Sequence, residues 1–264
     1  MPASVKDKKR KSDKIDARKI SRELANCALE GIYVPTVEME HTRTLVRQRD
    51  RLVQDQTRCK NRIWHMLMFS GLRLDTEKSQ KYWSRRFLEM QRQMPCKTQP
   101  VRYALNTAIE EYLQIRKLLS QTTKQVRILS QQGPFIGVNK LLLSIPVIWI
   151  VNAMITMTEL QDMRRSKTLD KLCYYVGIVP DTDSSGINEK VKGLAHRSNR
   201  YLRPAIVESS WVIIRKDPAM LHLYKKYCQK MVPNKAIIKI SRQLLSRIRY
   251  VSNSRVEYEI GLVG

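Results

Sequence analysis

Residues 101–129, VRYALNTAIEEYLQIRKLLSQTTKQVRIL, decide the fold class. Leu105, Tyr112, Leu119 and Val126 share one heptad position, and Val101, Ala108, Ile115, Thr122 and Leu129 share the other. That repeat keeps an apolar stripe on one side of a continuous helix and predicts a coiled-coil seam of about four heptads. The stripe can be covered by a helix of the same chain or by a second chain. A long, isolated, two-position stripe more often recruits a second chain, so a homodimer or higher assembly is expected. A protein organised around this segment is mainly α.

Upstream, a helical pattern runs from His41 to Phe69 through Leu45, Leu52, Cys59 and Met66, with Val46, Val53, Ile63 and Leu67 beside them. Arg43, Arg47, Arg49, Arg51, Arg58, Lys60 and Arg62 cover its other sides, and Gly71 ends it. So basic a helix is a track for nucleic-acid phosphates or a solvated face without a partner; Arg58, Lys60 and Arg62 are the candidate contacts. Further upstream, Lys6–Arg22 is basic and helix-compatible, with Ser12 placed to cap a helix from about Asp13. Asp13 and Asp16 then share one face at i and i+3, where they can hold a divalent cation together or complement the helix dipole. Gly31–Pro35 is read as a strand or an extended exit.

Downstream, Gln131-Gln132-Gly133-Pro134 breaks the long helix and marks a domain boundary. Two apolar segments about Pro146 are read as a helical hairpin, mostly core. Helices near Leu202–Lys216 and through Ile237, Ile240, Leu244, Ile248 and Val251 complete the chain.

Between them lies YYVGIVPDTDSSGINEKVKGLAHRSNRYLR, residues 174–203. Tyr174–Val179 is read as a strand, and Asp181–Gly186 as a polar turn exposing Ser184 or Ser185. Lys190, Lys192, Arg197, Arg200 and Arg203 are expected to surround these hydroxyls with positive charge. Exposure and nearby cations are what a serine attacking a phosphodiester needs, although Ser-Ser-Gly is also ordinary turn composition.

The 264-residue chain carries 49 Lys+Arg against 24 Asp+Glu, a formal net charge of +25, which makes a polyanion the expected partner. No apolar run reaches the roughly 18 residues that cross a bilayer, and the N-terminus lacks a signal-peptide core. A membrane partner is therefore not expected. The five cysteines are scattered and form no C-x-x-C pair, as in a reduced cytoplasmic protein, and the four histidines do not cluster as zinc ligands do. No Gly-rich phosphate loop occurs.

Two separated motif groups together resemble one family, the transposases of the bacterial insertion-sequence 110 and 1111 group. Residues 11–18, KSDKIDAR, are similar to its K-[TS]-D-x-x-D-A signature. Tyr33-Val34-Pro35, Arg49–Val53 and Arg58-Cys59-Lys60-Asn61-Arg62 continue the likeness, and the heptads match the family's linking coiled coil. Leu143–Pro146, Tyr175–Pro180, Ser184-Ser185-Gly186, Arg197-x-Asn199-x-x-Leu202-Arg203 and Arg215-x-Asp217-Pro218 look like its C-terminal domain. The resemblance implies a RuvC/RNase H-like remnant over residues 1–37, a basic helix and coiled-coil linker over 38–132, and a mostly helical C-terminal domain with a strand–turn serine motif over 133–264. It implies Asp13 and Asp16 as the last two acids of a four-carboxylate Mg²⁺ site. Ser185, with Ser184 in reserve, becomes the nucleophile that links to DNA, and Asn199 joins the nucleic-acid contacts. A structured guide RNA, a dimer and a bacterial, nucleoid-associated cytoplasmic location follow by the same resemblance.

The family's other two acids stand in strands ahead of the signature, where ten residues precede it here. Val147 and Trp149 replace the hairpin glycines, and Ser198 replaces the glycine before Asn199. These departures lead to the expectation of an N-terminally truncated copy whose own catalysis is in question. The alternative is a non-catalytic, nucleic-acid-binding coiled-coil dimer. A ribosome-associated protein is a third reading with no motif behind it.

Overall fold

The computed structural model describes residues 12–29, 33–72, 83–96, 98–185 and 188–261. The described chain is mainly helical, with two short strands. It divides into a unit up to Pro35 and a second from Thr36 to the end.

In the first unit, α1 (Asp13–Ala25) begins where Ser12, in extended conformation, accepts a bond from the Ile15 amide at 3.4 Å. None of its residues is buried, and Ile15, Ile20 and Leu24 are exposed. Tyr33–Pro35 is irregular, while Gly31 and Ile32 of the expected strand lie outside the described residues.

The second unit is built on two long helices, α2 (Val37–Phe69) and α4 (Gln99–Leu129), with the short α3 (Arg85–Gln93) beside them. Arg49 Nε donates to Thr123 Oγ1 at 3.2 Å, Cys59 Sγ to the Ala108 carbonyl at 3.4 Å, and Arg62 Nη1 to Glu111 at 2.6 Å. From Arg49–Thr123 to Cys59–Ala108 positions rise along α2 as they fall along α4, so the helices are antiparallel. The stripe predicted to recruit another chain is therefore largely covered within this one: Leu105, Ala108, Tyr112 and Val126 are buried. Between them Ile115 and Leu119 are half-buried and Leu118 is exposed. At the far end, Cys59, Ile63 and Leu67 meet Phe87, Leu105 and Ile109, with Trp64 and Trp83 packed against them.

At the near end, Val46 and Val126 enter a core shared with α5 (Phe135–Leu143), α6 (Ile150–Leu160), α7 (Leu169–Val176), α8 (Leu202–Ile213), α9 (Pro218–Cys228) and α10 (Pro233–Ser254). Residues on both sides of position 132 thus share one core. Each fully buried Leu or Ile contributes about 1.5–3 kcal/mol by leaving water. As expected, α5 and α6 flank Pro146; Ser144 accepts a bond from the Tyr258 amide at 2.8 Å and pins the C-terminal segment there.

The strand expected at Tyr174–Val179 is instead the end of α7 and its exit. Thr168 caps α7, and Gly177 terminates it with φ +84°. The strands lie one step later, β1 (Pro180–Ser185) pairing antiparallel with β2 (Asn188–Leu194). A Cβ on Gly177 would stand 2.2 Å from Ser198 Cβ and 2.9 Å from Ser198 Cα. Left-handed backbone strain and overpacking therefore coincide, and Gly177→Ala is expected to lower stability by roughly 2–4 kcal/mol, read as a fall in the denaturation midpoint.

Candidate functional site

Ser184 pairs with Glu189 and Ser185 with Asn188, so both serines stand at the tip end of β1. They belong to a strand, not to a turn, and Gly186 lies outside the described residues. Lys190 pairs with Asp183 and Lys192 is further along β2, so these lysines share the hairpin with the serines. Arg197, Arg200 and Arg203 follow the hairpin's base, where Pro180 pairs with Leu194. At ~3.4 Å per residue the base lies about 17 Å along the strand from Ser185. The arginines expected around the serines are therefore at the other end of the hairpin.

What organises that end is a carboxylate. Glu159, in the last turn of α6, is 1% exposed and is the only charged residue of that helix. Arg47 of α2 grips it with a fork, Nε to Oε1 at 2.7 Å and Nη2 to Oε2 at 2.9 Å. Asn199 Nδ2 donates to Oε2 at 2.8 Å, and the Tyr175 hydroxyl donates to the Glu159 carbonyl at 3.2 Å. One turn earlier on α2, Arg43 Nε donates to the Thr158 carbonyl at 2.9 Å. Burial pushes the Glu159 carboxyl up, but the hydrogen bonds from Arg47 and Asn199 and the charges of Arg47 and Arg43 outweigh it. It is held below the usual carboxylate range.

The same Asn199 then sets the next element. Its Oδ1 accepts the Tyr201 and Leu202 amides, each at 3.0 Å, satisfying donors at the start of α8. Its own amide donates to the Tyr175 carbonyl at 3.2 Å. Arg203 donates to the Ala195 carbonyl, closing the segment on itself. The Arg47 guanidinium lies 4.8 Å from the Tyr201 ring centre and that of Arg200 lies 5.1 Å away. Asn199 and Arg203 are thus committed to internal bonds, while Arg197 and Arg200 are exposed.

The candidate contacts on α2 also have partners in the chain. Arg58 pairs with Asp55 at 3.0 Å, Arg62 pairs with Glu111, and the Lys60 ammonium lies 5.4 Å from the Trp83 ring centre and 5.8 Å from that of Tyr112. Exposed ion pairs of this kind contribute only about 0–1 kcal/mol, so a phosphate can compete for Arg58 and Arg62. Asp13 and Asp16 lie in the first turn of α1, with Asp16 half-buried. Among the described residues no three His, Cys, Asp or Glu side chains are grouped to hold a metal. Asp217 of the Arg-x-Asp-Pro motif is structural: it caps α9 and accepts from the Tyr258 hydroxyl. No helix among the described residues is long and apolar enough to cross a membrane.

Sequence reasoning passed over Glu159. Its signal was one acid in the run Ala153–Leu160, where an unpaired charge cannot be buried. Glu159→Gln keeps the shape but removes the charge, and is expected to cost about 1–3 kcal/mol at neutral pH. Because the folded carboxyl titrates below the unfolded one, its contribution is complete above the unfolded value of about 4.3 and is lost as pH falls below it. Denaturation midpoints measured from pH 7 to pH 3 are expected to fall more steeply in the wild type than in Glu159→Gln.

A family model described as "Transposase IS116/IS110/IS902 family" matches residues 139–225, and a second described as "Transposase" matches residues 2–70. The "Transposase for insertion sequence element IS1111A" of Coxiella burnetii is 22% identical over 231 residues, covering 88% of this chain. The chain spans 61% of that relative's length.

Proposed function

The chain belongs to the transposases of the bacterial insertion-sequence 110 and 1111 group, and on that premise we propose that it binds DNA and takes part in transposition through its serine hairpin. The observation that carries this reading is the placement of Ser184 and Ser185 at the tip end of a two-stranded hairpin, with Asn199, just beyond its base, bonded to Glu159. In the proposed step the Ser185 hydroxyl loses its proton to solvent as its oxygen bonds to phosphorus, a P–O bond to one deoxyribose breaks, and the leaving oxygen takes up a proton. Lys190 and Lys192, on the neighbouring strand, are the cations nearest in the chain pairing. Asp13 and Asp16 are proposed as two carboxylates of a Mg²⁺ site. Arg197, Arg200, Arg58 and Arg62 are proposed phosphate contacts, able to serve a structured RNA as well as DNA. The uncovered part of α4 around Leu118 is the proposed contact for a second copy.

The test is incubation with duplex DNA spanning the junctions that flank the gene, with Mg²⁺, followed by denaturing electrophoresis. A covalent adduct is expected from the wild type and none from Ser185→Ala, with DNA affinity changed less than about twofold. Affinity is expected to fall linearly with salt on a log–log scale, and an Arg197→Ala/Arg200→Ala double variant to reduce the slope by about 2. An adduct that persists in Ser185→Ala contradicts the serine assignment. Salt-dependent binding with no adduct from the wild type assigns the non-catalytic nucleic-acid-binding reading instead.

A further inference from the structure

Three of the chain's four tryptophans are half-buried and packed on another ring: Trp64 and Trp83 on each other with centres 6.5 Å apart, and Trp211 on Tyr224 at 6.1 Å. Trp149 is 73% exposed and makes no ring contact among the described residues. A tryptophan left so open forgoes the burial that its large apolar ring normally gains. Its mount is nevertheless firm. Ile145, Val147 and Ile148, in the turn just before it, are buried, and the Trp149 carbonyl accepts the Ala153 amide at 2.9 Å in the first turn of α6. The backbone beneath the ring is thus held while the ring itself meets solvent. The helices α6 and α8 run antiparallel: Glu159, at the end of α6, accepts from Asn199 just ahead of α8, and Asn152, near the start of α6, donates to Ser209 in the second half of α8 at 3.1 Å. Trp149 therefore shares an end of this pair with the exit of α8, where Val212, Arg215 and Lys216 are exposed. No acid occurs from Ser209 to Lys216. At ~1.5 Å per residue Trp149 stands about 15 Å along α6 from Glu159, so this end is separate from the base of the serine hairpin.

An open ring beside cations is the combination that holds unpaired nucleic acid, the ring taking the face of a base and the cations its phosphates. A protein partner is the weaker match, because one ring buries about 150–250 Å² against the ~800 Å² per side of a stable protein interface, and a net charge of +25 favours a polyanion. We propose that Trp149 is a stacking platform for one unpaired nucleobase of the bound DNA or RNA, with Arg215 and Lys216 on the adjacent phosphates. Every base presents a π face, so this contact distinguishes unpaired from paired strand and not one sequence from another. The proposal rests on the reading that the chain binds nucleic acid, and it adds a contact that the serine step does not need.

The experiment compares the full chain's affinity for a duplex ending in a short tail of unpaired adenosines with its affinity for the same duplex ending in an abasic tail, as DNA and as RNA. The wild type is expected to bind the base-bearing tail about tenfold more tightly in at least one of the two polymers. Trp149→Ala is expected to abolish that preference while keeping abasic affinity, and Trp149→Phe to retain part of it. The ring is exposed, so neither variant is expected to lower the melting temperature. An Arg215→Ala/Lys216→Ala double variant is expected to weaken binding of both tails alike and to reduce the salt slope by about 2. Equal wild-type affinity for the two tails in both polymers overturns the proposal while leaving nucleic-acid binding intact, and a preference that survives in Trp149→Ala overturns it as well. Should no duplex bind even at low salt, the nucleic-acid reading and this proposal fail together. A wild-type dimer that Trp149→Ala dissociates in the absence of nucleic acid assigns the ring to a protein contact and likewise overturns the proposal.

Discussion

The second unit depends on one buried charge. A buried carboxylate is costly unless it is paired and hydrogen-bonded, and Glu159 meets both conditions through Arg47 and Asn199. Besides satisfying the charge, the pair provides direction. The planar Arg47 fork fixes α2 against α6 in two bonds at once, which a point cation could not do. The amide of Asn199 then passes that orientation to the segment between the hairpin and α8. Three elements distant in sequence are held by five side-chain heteroatoms, Arg47 Nε and Nη2, Glu159 Oε1 and Oε2, and Asn199 Nδ2, each with a defined partner.

The long antiparallel pair α2 and α4 gives this arrangement its reach. Its near end contributes Val46 and Val126 to the C-terminal core, and its far end carries a separate cluster of aliphatic and aromatic residues. The basic side chains along α2 therefore sit on a helix anchored at both ends. Arginines that pair with Asp55 and Glu111 in the free chain are presented at the surface, available to a stronger anion. The serine hairpin differs: its base is tied through Pro180 and Leu194, and its serines lie at the far end.

Much of the helical frame was legible in the sequence, because amphipathic periodicity reports burial directly. Ser12 as a cap, the long basic helix and the final helix emerged with their apolar faces correctly assigned. The residues Tyr174–Val179 misled because a short apolar run does not distinguish a buried helix end from a strand. Thr168 as a cap and Gly177 as a left-handed stop were the overlooked signals. The heptad stripe identified a seam but not its partner, since periodicity records that a face is covered and not by which chain. Proximity to the serines was the least legible feature: Arg197, Arg200 and Arg203 are near Ser185 in sequence yet separated from it by the length of β2. Glu159 went unnoticed for a related reason, as its partners are 112 and 40 residues away.

The most direct measurement of the central claim is amide hydrogen exchange on wild type and Glu159→Gln at neutral pH, under conditions where both stay folded. If Glu159 organises the site, protection falls at Asn199, Tyr201 and Leu202, whose amides bond to Tyr175 and Asn199, while Leu105–Tyr112 in α4 keeps its protection. Unchanged protection at those three amides would contradict the account, because the segment would then hold its shape without the buried carboxylate.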